Sequence, residues 1–187
     1  CVMSLEEVKL KENLHETLFN TFAPIKVLIS SKELPKSLWE DDFLFGFFFT
    51  FISDHIRIGY STIGKFSDFN EIQTELMQKI DPINYGYILS KAQYFAFNSS
   101  SEMTRGGDIS EKLLYLYFNK NNQLFPNVKD DDELILNAEK KVNVTRDLFN
   151  KAEVNQGDIT SLNDNVIASY ALFESEIISY VRQKYNV

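Results

Sequence analysis

Asp54 and His55 stand side by side, the one place in the chain where a general base and a carboxylate able to orient it are adjacent. Catalysis through them needs a third group within hydrogen-bond reach, and the stretch from Ser99-Ser100-Ser101 to Asp108 is where the sequence offers one. Neighbours in sequence point apart on a helix, however. His55 reads more simply as a histidine near a helix C-terminus that meets the final carbonyls, and His15, on the polar flank of the first predicted helix, reads the same way.

Metal chemistry finds little to use. A helical di-iron site expects two Glu-x-x-His pairs on facing helices. Glu12 precedes His15 by three residues, but Ile52 precedes His55, so the second pair is missing. The acidic runs Glu40-Asp41-Asp42 and Asp130-Asp131-Asp132-Glu133 could supply a carboxylate-only Mg or Ca site. Both fall at predicted helix starts, where capping and the helix dipole account for them without a metal. No phosphate loop, Gly-x-Gly-x-x-Gly run or Gly-x-Ser-x-Gly elbow occurs. Gly106-Gly107 reads as a flexible turn between helices. No catalytic, cofactor or metal residues are therefore assigned.

The elements that would position any site are read from period and caps. Ser4 and Glu7 make a capping box, and Leu10, Leu14, Leu18 and Phe22 repeat every fourth residue, which predicts a helix up to Pro24. Residues 25–29 then read as a separate short helix. Ser37 and Glu40 form a second box ahead of Phe43 to Ile52, whose apolar residues on all sides predict a buried central helix with Gly46 and Thr50 allowing close packing. Because Phe43, Phe45, Phe47, Phe49 and Phe51 also alternate, the alternative is a hairpin within 24–63, which would make the chain α+β.

Asp68 and Glu71 open a helix through Phe69, Ile72, Leu76 and Ile80 that stops at Asp81-Pro82. The next helix turns Ile88, Leu89, Ala92, Phe95 and Ala96 inward and ends at Asn98. A polar loop follows through Arg105-Gly106-Gly107-Asp108, then a short helix over Leu113 to Phe118 capped by Asp108 or Ser110. Asp130 to Glu133 starts a long helix with Leu134, Ala138, Val142, Thr145, Phe149 and Ala152 inward, ending near Asn155-Gln156-Gly157. From about Ser161 the spacing of Leu162, Val166, Tyr170, Phe173, Ile177 and Val181 approaches a heptad seam. The sum is an all-α bundle of about seven to eight helices in one domain over 1–187.

Composition limits the partners. With 19 basic against 27 acidic residues the formal charge is -8, which argues against nucleic acid and suits a basic partner or plain solubility. The lone cysteine, Cys1, excludes a disulfide framework and a multi-cysteine metal site, which fits a cytoplasmic setting. Standing ahead of Met3, Cys1 reads as a remnant of processing rather than a lipidated N-terminus. The window from Phe43 to Ile52 is too short to span a bilayer. Asn98 and Asn143 fit glycosylation sequons by chance. Tyr85, Tyr87, Tyr94, Tyr115 and Tyr117 cluster in mid-chain and could line an aromatic pocket or simply join the core.

The functional expectation is a non-catalytic module that binds another protein or itself, including as a homodimer, with a small apolar or aromatic ligand as the alternative. An enzyme using Asp54 and His55 is the second alternative.

Overall fold

The computed structural model describes residues 5–62, 69–151 and 162–187. Among these residues the only regular structure is helical, so the Phe-rich run is not a hairpin and the chain is all-α. The expected cap at Ser4, the residues Asp68, Ala152 and Asn155 to Gly157, and the start at Ser161 lie outside the described residues, as does Cys1. Contacts gather into two compact units, divided after Gly107.

The first unit is built on its Phe-rich helix. Helix α1 spans Leu5–Leu28 and buries Leu14, Leu18 and Phe22 as expected, but it does not end at Pro24. Proline lacks an N–H and crowds the preceding turn, at a cost of about 3 kcal/mol in a helix interior. Here the helix carries on because Ile25, next along, is fully buried on the face that Leu18 and Phe22 begin, and each such side chain contributes about 1.5–3 kcal/mol on burial. Residues 25–28 are therefore the end of α1 rather than a separate helix.

A short helix α2, Lys36–Glu40, leads into α3, Asp42–Thr62. Ser37 caps neither. The cap of α3 is Asp41, whose Oδ1 accepts the Leu44 N–H at 2.9 Å, so the helix start lies four residues later than the capping-box reading placed it. Phe43, Leu44, Phe45, Phe47, Phe48 and Ile52 are all buried, which for a helix requires cover on every side. Helices α1, α2 and α4, Phe69–Ile80, pack on α3, and α4 in turn meets α5, Tyr85–Phe95. Rings of Phe22, Trp39 and Phe48 interlock with centroids 4.6 to 6.0 Å apart.

A further face of α3 is closed by the start of α6, Ser101–Tyr117, which runs without a break through Arg105-Gly106-Gly107-Asp108. The expected loop there is helix. Two glycines cost that helix about 1 kcal/mol each relative to alanine, and packing supplies the reason for them. A Cβ on Gly46 would collide with the backbone of Met103, one on Gly106 with the backbone of Phe43 and Phe47, and one on Gly107 would lie 3.1 Å from Thr50 Oγ1. The two backbones thus cross at glycine on both helices. Neither Asp108 nor Ser110 caps a helix, since both are inside this one.

Helix α5 is less buried than its pattern implies: Ile88 is its one buried apolar residue, and Ala96 is exposed. Its N-cap is Asn84, preceded by a buried polar knot. Asp81 Oδ2 accepts from Trp39 Nε1 at 2.7 Å and from Asn84 Nδ2 at 2.9 Å, Asp81 Oδ1 accepts from the Asn84 N–H at 3.1 Å, and Asn84 Nδ2 also reaches the Leu34 carbonyl at 3.0 Å.

In the second unit the C-terminal part of α6 buries Leu113, Leu114, Tyr115 and Leu116. It ends on Asn119 and Lys120, both with positive φ. Lys120 is held there by Asp130 at 3.1 Å and Glu139 at 2.6 Å, and Tyr115 donates to Asp130 at 3.1 Å. The helix expected from 130 onward is two, α7, Glu133–Lys140, and α8, Val142–Lys151, separated by a turn at Lys141. Asp132 caps α7 by accepting the Leu134 N–H.

The last segment packs against α7 and α8. It runs as α9, Asp164–Phe173, a π-helical turn over Glu174–Ile178, and α10, Ser179–Tyr185. The buried stripe is Ile167, Ala168, Ala171 and Leu172, then Ile177, Ile178 and Val181. Tyr170 of the expected heptad seam is exposed. The π-turn inserts one residue, so the buried face steps from Leu172 to Ile177 by five and then to Val181 by four, a phase that a regular helix cannot hold.

Candidate functional site

Asp54 and His55 turn to different groups. Asp54 turns to Arg57, whose Nε and Nη2 each lie 3.0 Å from Asp54 Oδ1. His55 is buried, its Nδ1 donates to the Phe51 carbonyl at 2.9 Å, and its ring lies 4.3 Å from the Phe51 ring. It is in mid-helix, not at a helix end. Ser100 bonds Asp42, at the start of α3, and thirteen residues of helix put His55 about 20 Å away along the axis.

Burial pushes His55 below the ordinary imidazole value of 6.5, against the opposing pull of its bond to Phe51. Below 6.5 the unfolded chain therefore binds more protons than the folded one, so stability is complete above that value and is lost as pH falls toward the lowered folded value. Asp54, raised chiefly by desolvation against Arg57, acts oppositely at lower pH, since its folded form takes up a proton first. Urea midpoints are expected to drop as pH falls below 6.5 and to flatten in His55→Gln; an identical profile in the variant would remove His55 as the cause.

The residues that do converge lie where α2 and α3 meet α5 and the start of α6. An open groove of about 730 Å³ is lined there by Glu40, Asp42, Tyr87, Lys91, Tyr94 and Ser100, with Ser90, Asn98, Ser99 and Met103 completing it. Its floor is a satisfied network. Lys91 Nζ donates to the carbonyls of Trp39 at 3.0 Å and Glu40 at 2.9 Å and pairs with Asp42 Oδ1 at 2.8 Å, while lying 4.8 Å from the Phe45 ring centroid. Its side chain is only 10% exposed, so this lysine closes the C-terminus of α2 as part of the framework.

Ser100 Oγ donates to Asp42 Oδ2 at 2.8 Å and accepts the Met103 N–H at 3.2 Å, capping α6 and tying it to α3. A serine on a carboxylate beside a lysine resembles a nucleophile with its base only in residue type. The hydrogen bond from Lys91 holds the Asp42 carboxyl below its usual value, with Ser100 adding to the effect against desolvation, whereas a base working near neutrality needs a raised one. Lys91 has its three N–H groups directed at three acceptors. The arrangement positions helices and presents a rim.

That rim is polar and aromatic. Tyr94 is 61% exposed, Asn98 and Ser99 are exposed, and Lys36 lies 4.8 Å from the Tyr87 ring centroid and 3.0 Å from Glu40 Oε1. Of the five clustered tyrosines, Tyr87 and Tyr94 serve the groove, while Tyr115 and Tyr117 belong to the second unit. Both acidic runs are engaged as caps and ion partners, Lys112 pairing Asp132 at 2.8 Å among them. Among the described residues no group of three or more His, Cys, Asp or Glu comes together as metal ligands, and no helix is long and apolar enough to cross a membrane.

Sequence reasoning found Glu40 and Asp42 as helix-start acids and the loop at 98–101 as polar, but gave Lys91 no role. Its only signal was a cation one residue from the inward Ala92. No family model, curated protein or solved structure matches the chain.

Proposed function

We propose that the chain is a non-catalytic binding module that takes an extended segment of another protein into the groove beside α2, α5 and the start of α6. The observation that carries this reading is the contrast between floor and rim. The polar groups of the floor satisfy one another, whereas Tyr94, Asn98, Ser99 and Glu40 face solvent around an open cleft. Exposed tyrosine with amide and hydroxyl neighbours offers contact area and hydrogen bonds to a peptide backbone at small entropic cost.

A small apolar ligand has less support, because Phe45, Phe47 and Phe48 are buried and in ring contact with their neighbours in the core. Self-association through a heptad seam has less too, since Ile177 and Val181 of that seam are already buried within the chain and the π-turn breaks its spacing.

Peptides selected from a random displayed library against the full chain, then titrated by fluorescence anisotropy, test the proposal. Tyr94→Ala is expected to weaken the selected peptides by about tenfold, the scale of an aromatic hot spot, while Leu148→Ala, on an exposed part of α8, leaves them unchanged. Peptides indifferent to Tyr94→Ala, or none selected, would overturn it.

A further inference from the structure

We infer that the segment bound in the groove carries a lysine, and that Lys36 occupies that lysine's place while the protein is free. The inference rests on the binding-module reading. Lys36 Nζ lies 4.8 Å from the centroid of the Tyr87 ring, within the range of a cation–π contact, and 3.0 Å from Glu40 Oε1. An aromatic face and a carboxylate converging on one ammonium make a cation subsite, and the residues that form it, Tyr87 and Glu40, line the groove.

The groove contains the same construction twice, held with different firmness. Lys91 sits 4.8 Å from the Phe45 ring and pairs with Asp42, but its side chain is only 10% exposed and also bonds two carbonyls. Lys36 is 58% exposed and Glu40 50% exposed, and the two are paired across one turn of a five-residue helix. Exposed pairs of this kind hold weakly, because solvent screens them and two long side chains must be ordered. An incoming lysine can therefore displace Lys36 from ring and carboxylate together, at little cost, without disturbing the framework that Lys91 secures.

Charge selects the same partner. The chain has a formal charge of -8, and once Lys36 is displaced from Glu40 the groove keeps two carboxylates, Glu40 and Asp42, against Lys91 alone. An acidic segment would meet repulsion at the rim; a basic one is steered toward it.

The consequence is unusual in sign, because removing a cation from the groove strengthens binding. A labelled peptide of alternating serine and lysine is the probe, with the serine–glutamate peptide as its counterpart, each titrated by anisotropy against the full chain. Lys36→Ala is expected to tighten the lysine peptide by roughly two- to fivefold, Glu40→Gln and Tyr87→Leu to weaken it by a similar factor, and added salt to weaken it in every variant. Lys36→Met, which keeps the apolar stem, should tighten it as well. Binding that is unchanged or weaker in both Lys36 variants, or a preference for the glutamate peptide, overturns the inference. If library-selected peptides without lysine still depend on Tyr94, the cation subsite fails and the groove reading stands; if no binding depends on Tyr94, both fail.

Discussion

Replacing Gly106 by alanine is expected to lower the unfolding free energy by about 3 kcal/mol, the upper range for overpacking a well-filled core. The added methyl would meet the carbonyl of Phe43 and, at 2.7 Å, the amide nitrogen of Phe47. Both are backbone atoms of α3, so no rotamer change relieves the clash; the helices must move apart, and α3 is packed on its other sides. Gly46→Ala meets Met103 backbone in the same way and should match it. Gly86 is the control. It also lies within a helix, but nothing comes within 4 Å of its would-be Cβ, so Gly86→Ala should stabilise by about 0.5–1 kcal/mol through lost chain entropy. Urea denaturation of the three variants checks the pair of opposite signs. Equal midpoints for Gly106→Ala and Gly86→Ala would mean that the crossing is not tight.

Asp81→Ala is expected to cost about 3 kcal/mol by stranding buried donors. The carboxylate of Asp81 accepts from the Trp39 indole, the Asn84 side chain and the Asn84 backbone. These groups are buried, so water cannot take the place of the lost acceptor without opening the turn. Asp81→Asn keeps one acceptor oxygen but sets an amide N–H₂ against donors, so it should fall between wild type and alanine. Since Trp39 is the only tryptophan, its emission reports this knot directly. Red-shifted emission in the folded variants and a lower urea midpoint are expected together; an unshifted spectrum with full stability would show the knot to be dispensable.

Much of this architecture was legible wherever one helix face is buried and the other is not. The stripe Leu14, Leu18, Phe22 and the run Phe69, Ile72, Leu76, Ile80 name their helices by spacing alone, and Phe43 to Ile52 announces a helix covered all round. Failures came where long-range packing overrides a local breaker. Pro24 stops a helix unless Ile25 has somewhere to go, and Gly106-Gly107 reads as a turn unless another backbone passes against it. The π-turn is invisible to any fixed period, because both halves of the helix are periodic and only the phase between them changes.

The groove was legible only in fragments. Glu40, Asp42 and Ser100 each have a local explanation as helix-end residues; Glu40 pairs with Lys36 and Ser100 caps α6, whereas Asp42 reaches across to Ser100 and Lys91. Their convergence with Lys91 and Tyr87 depends on how α5 lies against α2 and α3, which no spacing encodes. Asp54 and His55 illustrate the converse. Adjacent in sequence and suggestive in type, they serve different partners because a helix separates its neighbours by about 100°.

The π-turn over Glu174–Ile178 has a consequence for how this chain tolerates change in length. Elsewhere in a packed helix, gaining or losing a residue rotates everything beyond it and carries buried side chains into water. Here one residue is already surplus: Leu172 and Ile177 face the same way although five positions separate them. Removing a single position from that turn would leave an ordinary four-residue step, with Ile177 and Val181 still directed inward. The last helix thus holds a slack link, a point at which its length can vary by one while the packing on either side keeps its register.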